Sequence, residues 1–296
     1  MTDALATVRD FFRYAVTEFT RAGLIFGHGC DNAIDEAAFI VLEALSLPID
    51  DINPWLDARL TAPERARMLD LIAMRVSTRK PAAYLLNKAY LGGASFYVDE
   101  RVLTPRSYIA EILANPPALF PEADMVHSVL DLCTGSGCLA ILAAHLFPNA
   151  KIFGADISAD ALEVAARNVA DYGLETRVTL KQGDLFAPLR SEKFDLIITN
   201  PPYVDADAMA SLPLEFRAEP ALALAAGVDG MDVVRRIIKE APRHLNAGGG
   251  LLCEFGTGRE ILERDYPDTP FLFVDSEMSE DEMFWLACED FPAAAH

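Results

Sequence analysis

From about residue 126, stretches typical of buried strands alternate with stretches of helical periodicity, and this alternation constrains the fold more than any other feature. Strands are predicted at 125–132, 151–157, 177–185, 194–200 and 248–255, with helices between them at 137–147, 161–173 and 233–245. Two last strands, 271–275 and 283–287, are predicted to pair through a short turn. We therefore predict an α/β fold: a Rossmann-like, mostly parallel seven-stranded sheet ending in an antiparallel hairpin.

The first hundred residues have a different periodicity. Apolar residues at helical spacing predict three helices, at 3–24, 31–48 and 62–80. The alternating stretch 89–103 predicts a β-hairpin around Gly92-Gly93, and 106–120 predicts a bridging helix ended by Asn115-Pro116-Pro117. The predicted organisation is a helical domain at 1–88, a hairpin and helix linker at 89–123, and an α/β domain at 124–296.

Composition excludes several classes of protein. No apolar run is long enough to span a bilayer, and the first residues lack a signal-peptide pattern. The five cysteines form no CxxC and no cluster with histidine, so we predict no metal site and a reducing, cytoplasmic setting.

The net charge of −20 is unevenly placed. Residues 1–110 carry 12 basic and 14 acidic side chains, whereas 111–296 carry 13 and 31, a net of −18. Such a surface repels a phosphate backbone and attracts a basic partner, so no direct DNA binding is expected. An acidic surface that only aids solubility is the alternative.

Small and acidic residues follow the first three predicted strands of the sheet. Asp131 ends the first and is followed by Gly135 and Gly137, where a helix begins. Glycines allow close approach of a ligand to the backbone, and a helix N-terminus offers free N–H groups. Asp156 ends the next strand, 21 residues beyond Gly135, at the spacing of a ribose-binding acid, and Asp184 follows the third. Together they predict an adenosine-containing cofactor. Asp156 could instead cap the following helix, although Ser158 can serve there.

The stretch FDLIITNPPYV at 194–204 ends a strand in Asn200, Pro201, Pro202 and Tyr203. The prolines fix the backbone and present carbonyl groups rather than N–H groups. A plain Asn-Pro-Pro loop is the structural alternative, as at 114–117, but there no strand precedes and no tyrosine follows.

The order DLCTGSG, ADIS, GDLF, NPPY resembles the class I S-adenosylmethionine-dependent methyltransferases that modify a planar amino or amide nitrogen. The resemblance implies S-adenosyl-L-methionine as cofactor. It also implies that the Asn200 side chain and the Pro201 carbonyl accept the two amide hydrogens of the substrate, with Tyr203 packed on the flat amide. Catalysis is thus assigned to Asn200, Pro201 and Tyr203, and substrate binding to these and Pro202. The predicted cofactor-binding residues are Asp131, Cys133, Thr134, Gly135, Ser136, Gly137, Asp156, Asp184, Leu185 and Asn200.

Over nearly its whole length the chain resembles the protein-glutamine N5-methyltransferases. The stretches that favour the branch acting on ribosomal protein uL3 are 81–107, 131–141 and 200–238. Release-factor enzymes usually read DLGTGTG, where this chain has Cys133 and Ser136, while Ala218 stands where the uL3 branch is expected to have histidine. The resemblance implies methylation of a glutamine of uL3, recognised by the N-terminal domain. The alternatives are a release-factor glutamine methyltransferase, a DNA adenine-N6 methyltransferase and a non-catalytic assembly factor.

Flanking residues allow two interpretations. Pro105 and Arg106 either position substrate or end the hairpin, and Glu219 and Pro220 either shape the pocket or support the fold. Asp131 is expected to orient the glycine loop by accepting hydrogen bonds. The histidines are dispersed and show no triad pattern.

Overall fold

A computed structural model describes residues 4–115 and 123–292. Its N-terminal part consists of α1 (Val8–Arg21), α2 (Ala33–Ala44), α3 (Ala62–Thr78) and the short α4 (Ala82–Leu86). The three predicted helices are confirmed, and α4 is an addition. Thr7 and Asp10 form a reciprocal capping box at α1, which satisfies N–H groups that have no partner inside the helix. One apolar cluster holds these helices together and includes the buried Phe11, Phe19, Ile40, Met68 and Ile72.

The predicted hairpin is present as β1 (Ala89–Leu91) and β2 (Ala94–Phe96), which pair antiparallel. Gly92 and Gly93 form the turn, and both have positive φ, which glycine adopts without a side-chain clash. The predicted bridging helix is shorter than expected: α5 covers Ile109–Ala114. The two prolines proposed to end it lie outside the described residues.

The main sheet has seven strands, confirming the predicted fold class. They are β3 (Ser128–Leu132), β4 (Lys151–Asp156), β5 (Val178–Gln182), β6 (Phe194–Thr199), β7 (Leu245–Glu254), β8 (Leu272–Phe273) and β9 (Met283–Ala287). Their spatial order is β5-β4-β3-β6-β7-β9-β8. The first five are parallel, and β9 lies antiparallel between β7 and β8. The predicted short turn before β9 is wrong, since 274–282 separate it from β8.

Helices cover both faces of this sheet, namely α6 (Cys138–Leu146), α7 (Ala159–Asp171), α9 (Asp232–Glu240) and α10 (Arg259–Asp265). The short α8 (Ala206–Ser211) follows β6 and has no buried residue. Successive side chains of a strand point to opposite faces. Val129 of β3 accordingly joins one apolar cluster together with α6, while Leu130 joins the other together with α9. The strand order reverses at β3, because β4 and β5 lie on one side of it while β6 and β7 lie on the other. Such a switch point opens a crevice at the carboxyl ends of the strands.

Candidate active site

A cavity of about 220 Å³, partly open to solvent, lies at this switch point. Its wall combines the loop after β3, the ends of β4 and β5, the start of the NPPY motif and a later segment near residue 222. The sequence-predicted residues that line it are Cys133, Gly135, Asp156, Asp184, Leu185, Asn200 and Pro202. The tertiary structure thus brings motifs spread over 70 residues into one wall. Asp131, Thr134, Ser136, Gly137, Pro201 and Tyr203 are not part of that wall.

Asp131 holds the glycine loop from behind. It is 1% exposed, and its Oδ2 accepts hydrogen bonds from the Thr134 hydroxyl and, at 2.9 Å, from the backbone N–H of Ala140 in α6. Burial raises its pKa to about 7. Within residues 4–115 and 123–292, its Oδ1 has no hydrogen-bond partner.

The two glycines of the loop have different structural requirements. Both have positive φ. A Cβ added at Gly137 would lie 3.1 Å from the Cβ of Ala165, so this glycine permits α6 to pack on α7. A Cβ added at Gly135 would meet no atom within 4 Å, and Gly135 lines the cavity. The missing side chain at Gly135 therefore leaves room for a ligand rather than for the protein, as the predicted cofactor requires.

Asp156 anchors the same loop from β4. Its two carboxylate oxygens accept from the N–H groups of Gly135 and Ser158, both at 2.9 Å. Ser158 itself caps α7 by accepting from Ala161 N–H, so the capping alternative for Asp156 is not needed. Burial raises the pKa of Asp156 above its usual value. Its remaining lone pairs lie in the cavity wall, where hydroxyl groups could donate to them.

Asp184 is exposed at the rim and has a partner that sequence reasoning missed. Arg236, from α9, forms a 2.8 Å ion pair with it, and both side chains line the cavity. Nothing in the sequence RRII marks this arginine, because only the packing of α9 on the sheet places it there. Ile157 and Leu222, both at least half exposed, add apolar surface to the wall for a flat ring.

The NPPY motif is fixed at both ends. Just before it, the Thr199 hydroxyl donates to the Leu132 carbonyl at 2.7 Å and locks β6 to β3. Just after it, Val204 exchanges backbone hydrogen bonds with Leu224 and Ala226, at 2.8 and 3.0 Å. The Asn200 side chain makes no hydrogen bond to any described residue and lines the cavity. Its amide is therefore available to a substrate.

Tyr203 is outside the wall of this cavity, and its hydroxyl faces a buried carboxylate. Its hydroxyl donates to Glu254 Oε1 at 3.1 Å, and burial raises its pKa well above the usual value. Glu254 ends β7 and also accepts from the Ser107 hydroxyl at 2.6 Å. Burial raises the pKa of Glu254 to about 7. Sequence reasoning missed this residue, because an acid at a strand end was sought only after the first three strands.

The flanking residues Arg106 and Glu219 are joined. The guanidinium donates to both Glu219 oxygens at 2.6 and 2.7 Å, and the carboxylate also accepts from Thr104 N–H at 3.0 Å. Burial by itself would raise the pKa of Glu219, but Arg106 and His28 hold it at about 2. The pair joins the linker to the segment that follows NPPY. It therefore supports the fold and, through the same contact, fixes the position of that segment beside the cavity.

That same segment also contacts the loop between α1 and α2 and the residue that follows α3. Glu215 accepts from Ile25 N–H and pairs with Arg79, both at 3.0 Å. The Phe216 ring lies 4.2 Å from the ring of His28. The stretch from NPPY to the cavity rim is therefore in direct contact with the N-terminal part of the chain.

Within the described residues, no cluster of His, Cys, Asp and Glu has the arrangement of a metal site. Nor does any helix there have the length and apolar character to cross a membrane.

Known proteins match the chain at two levels. The methyltransferase small domain family matches residues 118–227, which span β3 to β6 and the NPPY motif. A ribosomal protein uL3 glutamine methyltransferase from Bradyrhizobium diazoefficiens is 56% identical over 97% of this chain and 92% of its own. Proteins of the same name from Bordetella pertussis and Neisseria meningitidis are 51% and 49% identical, over 96% of this chain and 96% and 94% of theirs.

The chain belongs to the ribosomal protein uL3 glutamine methyltransferases. The predicted family is thereby confirmed, and with it the dependence on S-adenosylmethionine. Among solved structures, a methyltransferase from Pyrococcus furiosus has a TM-score of 0.49 at 16% identity, over 77% of this chain and 98% of that one. The departure at Ala218 from the histidine expected in this family does not affect membership. Ala218 packs in a small apolar cluster with Val98 and Val102.

Replacing Gly135 by alanine is expected to weaken S-adenosylmethionine binding at least about tenfold, a loss of about 1.4 kcal/mol, because the new methyl group occupies the ligand's space. Gly173 is a matched control. It also has positive φ and open space at its Cβ, but it follows α7 and lies outside the cavity wall. Both alanine variants should lose about 1 kcal/mol of stability through backbone strain. Titration calorimetry and thermal unfolding separate the two effects. Equal cofactor affinities in the two variants would contradict the role of Gly135.

Proposed function

We propose that this protein transfers a methyl group from S-adenosyl-L-methionine to the side-chain N5 of a glutamine in ribosomal protein uL3. The observation that supports this most is a shared wall: the free amide of Asn200 and the open glycine Gly135 face one cavity. The names of relatives about half identical over nearly the whole chain support the substrate. They do not favour release factors or DNA as substrates.

The residues of the chain account for what an amide substrate needs. An amide nitrogen is a poor nucleophile because its lone pair is delocalised into the carbonyl. Holding both N–H groups turns the lone pair towards the electrophile, which S-adenosylmethionine supplies as a methyl group on a sulfonium. In this proposal the Asn200 side-chain oxygen accepts one N–H and the Pro201 carbonyl the other. Tyr203 and Pro202 flank the flat amide. Rigid orientation supplies the catalysis, and the proton released on transfer leaves to water.

The cofactor is proposed to bind along the other side of the same wall. Gly135 would let the cofactor approach the backbone, Asp156 would accept hydrogen bonds from its ribose, and Asp184 would lie at the edge of its adenine ring. Cys133 and Leu185 line this path, while Asp131, Thr134, Ser136 and Gly137 shape the loop behind it.

Each of the three predicted units of the chain is proposed to have its own role. Residues 1–88 are proposed to recognise the protein substrate, 89–123 to link, and 124–296 to bind cofactor and carry out transfer. Ribosomal proteins are generally basic, so the acidic charge of the α/β part suits such a partner. A cytoplasmic location follows from a substrate that is a ribosomal protein.

The test supplies labelled S-adenosylmethionine with purified uL3 and, in parallel, a peptide release factor. Intact-mass and fragment spectra locate any added methyl group. We expect one methyl on a glutamine of uL3 and none on the release factor. Label only on the release factor would overturn the substrate, and label on neither, with cofactor bound, would favour a non-catalytic assembly factor.

A further inference from the structure

Glu254 lies beside the catalytic motif although it is 54 residues away in the chain. Thr199 of β6 is in register with Cys253 of β7, so Glu254 stands next to Asn200 at the edge of the sheet. On its other side it pairs with Met283 of β9. Its side chain is buried, with 1% exposure. An apolar residue in this place would avoid the free-energy penalty of burying a carboxyl group, so the acid requires a reason.

Three hydrogen bonds to Glu254 come from two distant segments. Tyr203 donates its hydroxyl to Oε1, while Oε2 accepts from the Ser107 hydroxyl and, at 3.1 Å, from the Tyr108 N–H. Ser107 and Tyr108 belong to the linker at the start of α5, one residue after Arg106. A single carboxyl group therefore joins the last residue of NPPY to the linker.

The other contacts of Tyr203 are packing contacts, so its hydrogen bond to Glu254 sets the direction of the hydroxyl. A Cβ at Gly256 would lie 2.8 Å from Tyr203 Cδ2, so the ring packs flat against a bare backbone. Gly230 similarly makes room for the Tyr203 carbonyl. Among the described residues, the only hydrogen bond of the Tyr203 hydroxyl is the one to Glu254. Packing fixes how close the ring lies, and the carboxyl group fixes where it points.

We infer that Glu254 is a positioning residue: it orients Tyr203 for the amide substrate and makes that orientation depend on the linker through Ser107. This inference rests on the proposed function. Glu254 and Tyr203 do not line the cofactor cavity. Loss of Glu254 therefore lowers turnover without changing cofactor affinity.

The test compares Glu254→Ala and Glu254→Gln in the full-length protein, with uL3 as substrate. Alanine removes all three hydrogen bonds and leaves their three donors unpaired, so kcat is lowered about ten- to a hundredfold in this variant. The affinity for S-adenosylmethionine stays within about twofold of the wild-type value. Glutamine restores most of the activity, because its oxygen accepts from Ser107 and Tyr108 while its nitrogen donates to the Tyr203 oxygen. If Glu254 instead removed a proton, glutamine would be as inactive as alanine.

Glu282 is the matched control. It is a half-buried acid just before β9 that acts on Glu254 through charge, and within the described part of the chain its side chain makes no hydrogen bond. Glu282→Ala should keep wild-type kcat. In the Tyr203→Phe background, Glu254→Ala should reduce kcat much less than in the wild type, because its target is already gone. Equal reductions in both backgrounds would overturn the inference.

Amide hydrogen exchange provides a readout that needs no substrate. Glu254→Ala should speed exchange at Val204, whose N–H donates to the Leu224 carbonyl, and leave the glycine loop unchanged. If the wild-type protein fails to methylate uL3, the proposed function falls, and this exchange still decides whether Glu254 holds Tyr203. Unchanged exchange at Val204 with a folded variant would refute the positioning role.

Discussion

Replacing Asn200 by alanine is expected to lower kcat for uL3 methylation by about a hundred- to a thousandfold, the range for loss of a preorganised hydrogen-bonding group. The side chain has no structural partner among the described residues, so its removal should leave the fold intact. Thr199 and Val204 keep the motif in place from either side. Transfer to the substrate is measured with labelled cofactor, and cofactor binding by calorimetry.

The chain provides its own control for this substitution. Asn115 is also followed by two prolines, but it ends α5 rather than a strand. Asn115→Ala should methylate at the wild-type rate. Substantial activity in Asn200→Ala, or a comparable loss in Asn115→Ala, would contradict the proposal that Asn200 holds the substrate amide.

Replacing Glu219 by alanine is expected to lower the free energy of unfolding by about 3–5 kcal/mol, the usual effect of breaking a buried ion pair. The substitution leaves the Arg106 guanidinium, only a quarter exposed, without its carboxylate, and Thr104 N–H without its acceptor. Urea unfolding followed by circular dichroism measures the change.

Two comparisons make this prediction specific. Glu263→Ala breaks an exposed pair with Arg259 within α10 and should change stability by less than about 1 kcal/mol. Adding Arg106→Ala to Glu219→Ala should recover part of the loss, since no unpaired charge then remains buried. Additive losses in the double variant would show that the two side chains act separately.

Glu219 and Glu254, two acids that lie outside the predicted motifs, both bind residues 106–108. Glu219 binds Arg106, and Glu254 binds Ser107 and Tyr108. Because Glu215 and Phe216 also contact the loop between α1 and α2, a shift of that loop would be passed to the segment that follows NPPY through these two contacts. The linker is thus a structural part of the site.

Much of the site could be predicted because it follows from the ends of parallel strands. Carboxyl ends of adjacent parallel strands meet at one edge, so Gly135, Asp156 and Asn200 had to be close once the strands were recognised. Periodicity likewise predicted the three N-terminal helices. The predicted antiparallel pairing of the last two strands is confirmed, but β8 has only two residues and residues 274–282 connect it to β9 in place of a short turn.

The sequence by itself determined the α/β fold, the family and the motif residues, because these depend on neighbours in the chain: the period of apolar residues, glycines at turns and prolines after a strand. Only the tertiary structure decided which distant side chains complete the site. Tyr203 with Glu254, Arg106 with Glu219, and Asp184 with Arg236 are 51, 113 and 52 residues apart. No local pattern specifies such pairs, because they arise from the order in which strands and helices pack.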